Sequence, residues 1–389
     1  MKFNFVYDKY INGKPYPNLA QAIDISKGYE SLWSSAPYII PLRLLYYLKN
    51  FSYPVDFYYV DDDYPNDSFY PIGIAWYSLD IDYIELLSHK VKKAVGQGRL
   101  RLMFYYHEGD NPLKQKKHLD DLCDKHQIPK SYKFITGNTA ISGLNNFVYF
   151  PDHERFYFET NLKHSALEPH FNQRSKDFTA LNRVHKWWRA TAMTHLHVAD
   201  LLNNSYWSYG GITCNDNFAN NPIDIHTLGL GPRTLEFVSQ APYVCDTLSS
   251  DEHNQHHTLV PEHFTNSYFN IVFETFFDTD QSGGAFLTEK TFKPIKHAQP
   301  FILVAPAGSL ALLRKLGYKT FDNAIDNRYD SIINNTSRWL AIFKLVSDLK
   351  KQNLQKIFNQ CRDDIIHNQH RFLTSGTERL DTLLRELNK

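Results

Sequence analysis

Short apolar runs alternate with amphipathic stretches through the first half of the chain. Lys2–Tyr7, Val55–Val60, Ile74–Tyr77, Leu100–Tyr106 and Tyr132–Ile135 are of strand length and rich in β-branched and aromatic residues. Between them, Pro41–Lys49, Tyr83–Val95 and Leu113–His126 carry apolar residues at helical spacing. Pro41 is compatible with a first helical turn, and Gly96 and Gly98 stop the second helix. Strands separated by helices predict a mostly parallel sheet with right-handed crossovers.

The stretch His153–Lys176 is polar, lacks clean periodicity and reads as a linker. A second series follows: strand Asp177–Leu181, helix Trp187–Leu202, short strand Tyr243–Val244, strand Phe269–Phe273, helix Thr291–Ala298 and strand Pro300–Val304. Helix Leu310–Leu316 comes next, with Gly317 as its C-cap. In Ser337–His370, Trp339, Ile342, Phe343, Val346 and Leu349 recur at helical spacing, and Glu378–Leu387 is a short final helix. The pattern predicts an α/β protein: a Rossmann-like domain over 1–165, a second over 166–335, and C-terminal helices over 336–389. No internal repeat or low-complexity tract is visible.

A length of 389 residues is in keeping with two domains. Lys+Arg 42 and Asp+Glu 42 cancel, so no global field draws the chain to nucleic acid or to a membrane, although a neutral total can hold a local basic groove. Aromatic content is high at 15%, which fills cores and also builds platforms for sugar rings and bases. Cys123, Cys214, Cys245 and Cys361 are scattered, with no C-x-x-C pair; free thiols in a reducing compartment are expected. The N-terminus lacks the apolar core of a signal peptide, and no run reaches the roughly 20 residues of a membrane span. The expectation is a soluble, cytoplasmic protein.

The densest chemistry lies in residues 269–304. Phe269–Phe273 ends in Glu274-Thr275, and Leu287-Thr288-Glu289-Lys290 opens the next helix. Thr288 has the chemistry of an N-cap, with Glu289 and Lys290 in the first turn. Acids favour first turns for dipole reasons alone. A carboxyl at the C-terminal end of the preceding strand strengthens the case, because ligands bind at that end in open α/β sheets. Free N–H groups at a helix start attract phosphate, and a carboxylate there can hold sugar hydroxyls.

The order Phe-Glu-Thr, spacer, Phe286-x-Thr288-Glu289-Lys290, helix, Pro300-Phe-Ile-Leu resembles the donor-binding motif of the family 10 glycosyltransferases, the α-1,3-fucosyltransferases. The likeness covers roughly residues 176–304. It implies a GT-B fold, two Rossmann-like domains facing across a cleft, with C-terminal helices packing back. It implies that Glu289 and Lys290 hold the ribose and diphosphate of a nucleotide sugar, that Phe286 contributes to the pocket, and that Glu274 lines the sugar side. An Arg near the start of the corresponding family helix contacts the diphosphate. Arg189 matches it in position, with Arg183 as competitor. Thr275 replaces the family's Asn, Phe286 its Tyr, and the spacer Phe276–Ala285 is longer. The stretch from Gly308 to Asp330 is similar to viral and bacteriophage glycosyltransferase-like proteins.

Glycosyl transfer needs a cation for the departing phosphate and a base for the acceptor hydroxyl. Glu108, after strand Leu100–Tyr106 and before Gly109, is the candidate base, with Asp110 behind it. Asp61-Asp62-Asp63 and Asp278-Thr279-Asp280 offer a rival, metal-dependent reading, less favoured because Lys290 and an Arg supply cations. His253, His256, His257 and His263 lack a zinc-binding frame and read as a polar loop. Gly229-x-Gly231 and Gly283-Gly284 read as turns. The leading expectation is an inverting, metal-independent glycosyltransferase with a GDP- or UDP-linked sugar as co-substrate and a glycan acceptor; no metal or other cofactor is expected. Two alternatives are sugar transfer onto a hydroxylated base in phage DNA, with Tyr206–Tyr209 as a base-stacking loop, and a non-catalytic module that binds glycans or nucleic acid.

Overall fold

The first half of the chain builds β1 (Phe3–Tyr7), an antiparallel ribbon of β2 (Tyr10–Ile11) and β3 (Lys14–Pro15), then β4 (Val55–Tyr59), β5 (Phe69–Ile74), β6 (Arg101–Tyr106), β7 (Lys133–Thr136) and β8 (Phe147–Tyr149), seen here in a computed structural model. Apart from the ribbon these form one parallel sheet in the order β4-β1-β5-β6-β7-β8. β1 and β5 are buried along their whole length, as inner strands of a parallel sheet covered on both faces are. The structure describes residues 2–11, 14–15, 42–74, 77–160, 165–212, 216–245 and 259–389. Pro41, two residues of the expected strand Ile74–Tyr77, and His253, His256 and His257 lie outside them.

Three expectations for this half are corrected. The strand expected at Ile74–Tyr77 runs over Phe69–Ile74, through Pro71 and Gly73. Pro71 cannot donate to a ladder; pairing with β1 is confined to Phe5–Phe69, while pairing with β6 continues to Ile74–Tyr106. The helix expected over Tyr83–Val95 begins at His89, where the Ser88 hydroxyl caps the amide of Val91; Tyr83 and Ile84 are buried in turns instead. The expected linker from His153 starts as a helix, Asp152–Thr160. Its polarity is deceptive, because Glu154 is fully buried and accepts from Ser375 Oγ at 2.8 Å and Arg379 Nε at 2.9 Å.

Those partners sit at the start of the final helix, Gly376–Leu387, whose Leu380, Leu383, Leu384 and Leu387 join Phe3, Phe5 and Tyr7 in one core. Met1–Thr160 and Ser375–Lys389 accordingly form one unit, and Asn161–Thr374 the other. The helices Asn335–Lys350, Leu354–Gln360 and Arg362–Thr374 belong to the second unit, so the C-terminal block divides after Thr374.

The second unit holds β9 (Lys176–Asn182), β10 (Tyr206–Tyr209), β11 (Ser267–Phe273) and β12 (Phe301–Val304), all parallel, in the order β10-β9-β11-β12. β10 is the aromatic stretch read as a loop; it is an edge strand paired to β9 from Tyr206–Thr179 to Tyr209–Asn182. The expected strand Tyr243–Val244 is a single bridge, Tyr243 to Tyr209. The protein is thus α/β, with two Rossmann-like parallel sheets. Among the described residues no helix is long and apolar enough to cross a membrane.

Candidate functional site

The strand order of the second unit puts a switch point between β9 and β11. From β9 the chain goes through helix Trp187–Val198 to β10 on one side; from β11 it goes through helix Glu289–Lys296 to β12 on the other. Open α/β sheets bind ligands outside the carboxyl ends of their strands at such a point. Five of the residues singled out in the sequence meet there: Arg189, Glu274, Thr288, Glu289 and Lys290.

Glu274 ends β11 and is fully buried. One carboxyl oxygen accepts from the Thr288 amide at 2.9 Å and from the Thr291 hydroxyl. The other accepts from the Thr288 hydroxyl at 2.7 Å and the Thr275 amide at 3.0 Å. Its carboxyl therefore clamps the start of the following helix to the end of the strand, and is turned to that task instead of lining an open sugar pocket. Thr288 is the N-cap, and its oxygen also lies 3.1 Å from Lys290 Nζ. The Lys290 ammonium further reaches Thr275 Oγ1 at 3.3 Å and Glu289 Oε1 at 2.9 Å, and its side chain stays 36% exposed. Arg189, buried in the first turn of its helix, donates to the backbone oxygens of Glu274 and Val184. One hydrogen-bonded chain thus runs from Arg189 through Glu274 and Thr288 to Lys290 and Glu289.

Sequence reasoning missed Asn182, the last residue of β9. It is 2% exposed, and neither atom of its side-chain amide has a hydrogen-bond partner. Unsatisfied amides are rare in protein interiors, and one at a switch point calls for an explanation. The pairing between β9 and β11 ends at Thr179–Asn270, so the last turn of β9 is held through β10. The sequence signal was a polar residue closing an apolar strand. Nearby, His185 is buried against the Tyr209 hydroxyl, and burial lowers its pKa. Gly210 is required here: a Cβ on it would lie 2.3 Å from the Arg183 carbonyl oxygen.

The remaining second-unit candidates are placed differently. Phe286 is fully buried with its ring 6.0 Å from that of Phe276, a core contact and not a pocket wall. Arg183 is exposed on the loop after β9. Asp278 caps the short helix Thr279–Ser282 and accepts from Asn335 at 3.0 Å, both through Oδ1. His263 is buried beside Tyr206, ring centroids 4.7 Å apart. A cavity of about 680 Å³ opens beyond β12, lined by Gly308, Arg314, Asp326, Arg328 and Asp330 among others. None of Arg189, Glu274 or Lys290 lines it; it is a separate feature, and the polar cluster has the stronger chemical case.

In the first unit, Glu108 follows β6 as expected, but it is paired: His107 Nε2 lies 3.3 Å from its Oε1. Burial would raise the Glu108 carboxyl, yet His107, His153 and Arg43 outweigh it and hold the pKa at about 2. Burial pushes the His107 imidazole below its ordinary value, with Arg43 acting in the same direction. Asp110 is exposed and accepts from the Tyr106 hydroxyl. Asp61 pairs with Lys90 at 2.8 Å, and Asp62 accepts from the Tyr59 amide. Asp82, Glu85 and His126 are the described group with metal-ligand spacing, but the Lys125 ammonium already sits 2.8 Å from Asp82.

No protein-family model, curated protein or solved structure matches this chain.

Proposed function

We propose that the second unit binds a nucleotide-diphosphate sugar and that the protein is a glycosyltransferase of GT-B type, passing the sugar to a hydroxyl of a glycan acceptor by an inverting, metal-independent route. The observation that carries this reading is the convergence of Arg189, Asn182 and Lys290 on one switch point, where two helices start. Leaving-group charge builds on the phosphate oxygens, and fixed cations in a partly dehydrated site stabilise it. Lys290 is the part-exposed cation that can reach such a group, and Arg189 is tied to the backbone oxygens of Glu274 and Val184. The Asn182 amide has an NH2 group to donate and a carbonyl oxygen to accept for a hydroxyl-bearing ligand.

Thermal denaturation with GDP- and UDP-sugars, in EDTA, tests the reading. A ligand at 100 times its Kd adds about 2.7 kcal/mol to the state that binds it. At least one such compound should therefore raise the melting temperature by several degrees, and Lys290→Ala should remove most of that rise. An unchanged melting temperature with every nucleotide refutes the proposal.

A further inference from the structure

We infer that Cys245 and His263 form a reactive thiol–imidazole pair, and that Cys245 is thereby a site of reversible modification by a low-molecular-weight disulfide, a chemistry independent of the glycosyltransferase reading. The Cys245 thiol lies 4.0 Å from His263 Nε2, within hydrogen-bond reach for sulfur. Both halves of the pair are positioned by bonds within the second unit. Tyr243, shortly before Cys245, donates its amide to the Tyr209 carbonyl and accepts from the Tyr209 amide, each at 2.9 Å. That bridge ties the chain leading to the thiol to the outer edge of β10. The His263 carbonyl oxygen accepts from the hydroxyls of Thr179 and Ser267 at 2.8 and 2.6 Å and from Gln299 Nε2 at 3.3 Å.

A cysteine attacks as its thiolate, and an imidazole beside it takes the proton and stabilises the anion. Cys245 is half-buried and in no disulfide, so a small reagent can reach the sulfur. Cys123 and Cys361 mark the contrast, because burial pushes both thiols up to about 12 and leaves them protonated. Cys245 is the described cysteine that combines access with an adjacent base. The imidazole is buried, with the Tyr206 ring 4.7 Å from it and the Lys176 ammonium 5.8 Å from that ring. Tyr206, Lys176 and Glu262, which precedes His263 in its helix, are thus ionisable neighbours of the pair.

In the step, the Cys245 S–H bond breaks and its proton passes to His263 Nε2. The thiolate attacks one sulfur of the disulfide, a new S–S bond forms as the old one breaks, and the electron pair leaves on the second sulfur. That departing thiolate takes the proton from the imidazolium. Cys245 is oxidised to a mixed disulfide, and the other half of the reagent is reduced to a thiol. An added thiol runs the exchange backwards.

The test uses the full chain and oxidised glutathione, with peptide mass mapping so that each cysteine is read separately. An ordinary thiol is only a few per cent ionised at pH 7, and a more acidic thiol gains thiolate while losing some nucleophilicity. Native Cys245 should therefore react about 10-fold faster at pH 7 than the same residue in the chain unfolded in urea. Partial burial alone gives the opposite order, so a native rate equal to or below the unfolded one overturns the inference. His263→Gln should slow Cys245 by a similar factor at pH 7 and recover at about pH 9.5, where a thiol ionises without help. If that variant melts as a folded protein and keeps the wild-type rate, the imidazole is not the base and the inference falls. If it does not fold, the native-against-unfolded comparison on the wild type decides alone. Dithiothreitol should restore the original mass; an adduct that survives it is no mixed disulfide and equally overturns the inference.

Discussion

Asn182 is the residue that sequence reasoning could not single out, because its distinguishing property is the absence of partners, and that exists only once the chain has folded. Thr288 was legible for the opposite reason: an N-cap makes a local bond to an amide two residues on, and the spelling Thr-Glu-Lys encodes it. An amide left without partners in the interior costs about 1–3 kcal/mol. Asn182→Leu keeps the branching and the number of heavy atoms and removes that cost. Thermal denaturation should therefore show a variant more stable than the wild type by a few degrees, with a smaller or absent shift on adding the nucleotide sugar. Gln115→Leu is the control. Gln115 is also buried with both amide atoms unpartnered, but it lies in the first unit. It should gain stability with the nucleotide shift unchanged. A destabilised Asn182→Leu protein would mean that the amide is satisfied, and its assignment to a ligand would be lost.

At the level of elements, β11 and the helix after it were readable because each is set locally, by a continuous apolar run and by a cap. β5 and β10 were not. Pro71 and Gly73 look like breakers until the neighbouring strand shows which ladder needs no N–H, and Tyr206–Tyr209 looks like a loop until β9 offers it an edge. The junction of β11 with helix Glu289–Lys296 makes the sharpest prediction at this scale. Four donors converge on the Glu274 carboxyl: the amides of Thr275 and Thr288 and the hydroxyls of Thr288 and Thr291. Glu274→Ala strands all four, at about 1–3 kcal/mol for each donor that finds no water. Urea denaturation should rank wild type above Glu274→Gln, and Glu274→Gln above Glu274→Ala, the last down by about 3 kcal/mol or more with an unchanged m-value. If Glu274→Ala keeps wild-type stability and loses only nucleotide binding, the carboxyl is a ligand and not a clamp.

For the whole molecule, the alternation of strands and helices announced two α/β halves, but hydropathy gave no sign that the last helix returns to the first of them. The spacing of Leu380, Leu383, Leu384 and Leu387 marks an amphipathic helix without saying which sheet it covers. The polar sequence around Glu154 hid the other half of that contact, since a buried charge is tolerated only when paired. Removing Ser375–Lys389 tests the division of the chain. Four buried leucines at about 1.5–3 kcal/mol each come to about 6–12 kcal/mol, comparable with the whole stability of a domain at about 5–15 kcal/mol. Truncation also takes Ser375 and Arg379 from the fully buried Glu154 carboxyl. The chain ending at Thr374 should therefore lose protection from hydrogen exchange in β1, β5 and β6 while β9, β11 and β12 stay protected, because Asn161–Thr374 keeps its own core. That truncated chain should still show the nucleotide-induced stabilisation that Lys290→Ala removes. Protection retained in β1, β5 and β6 would show that the first sheet closes its core without the returning helix.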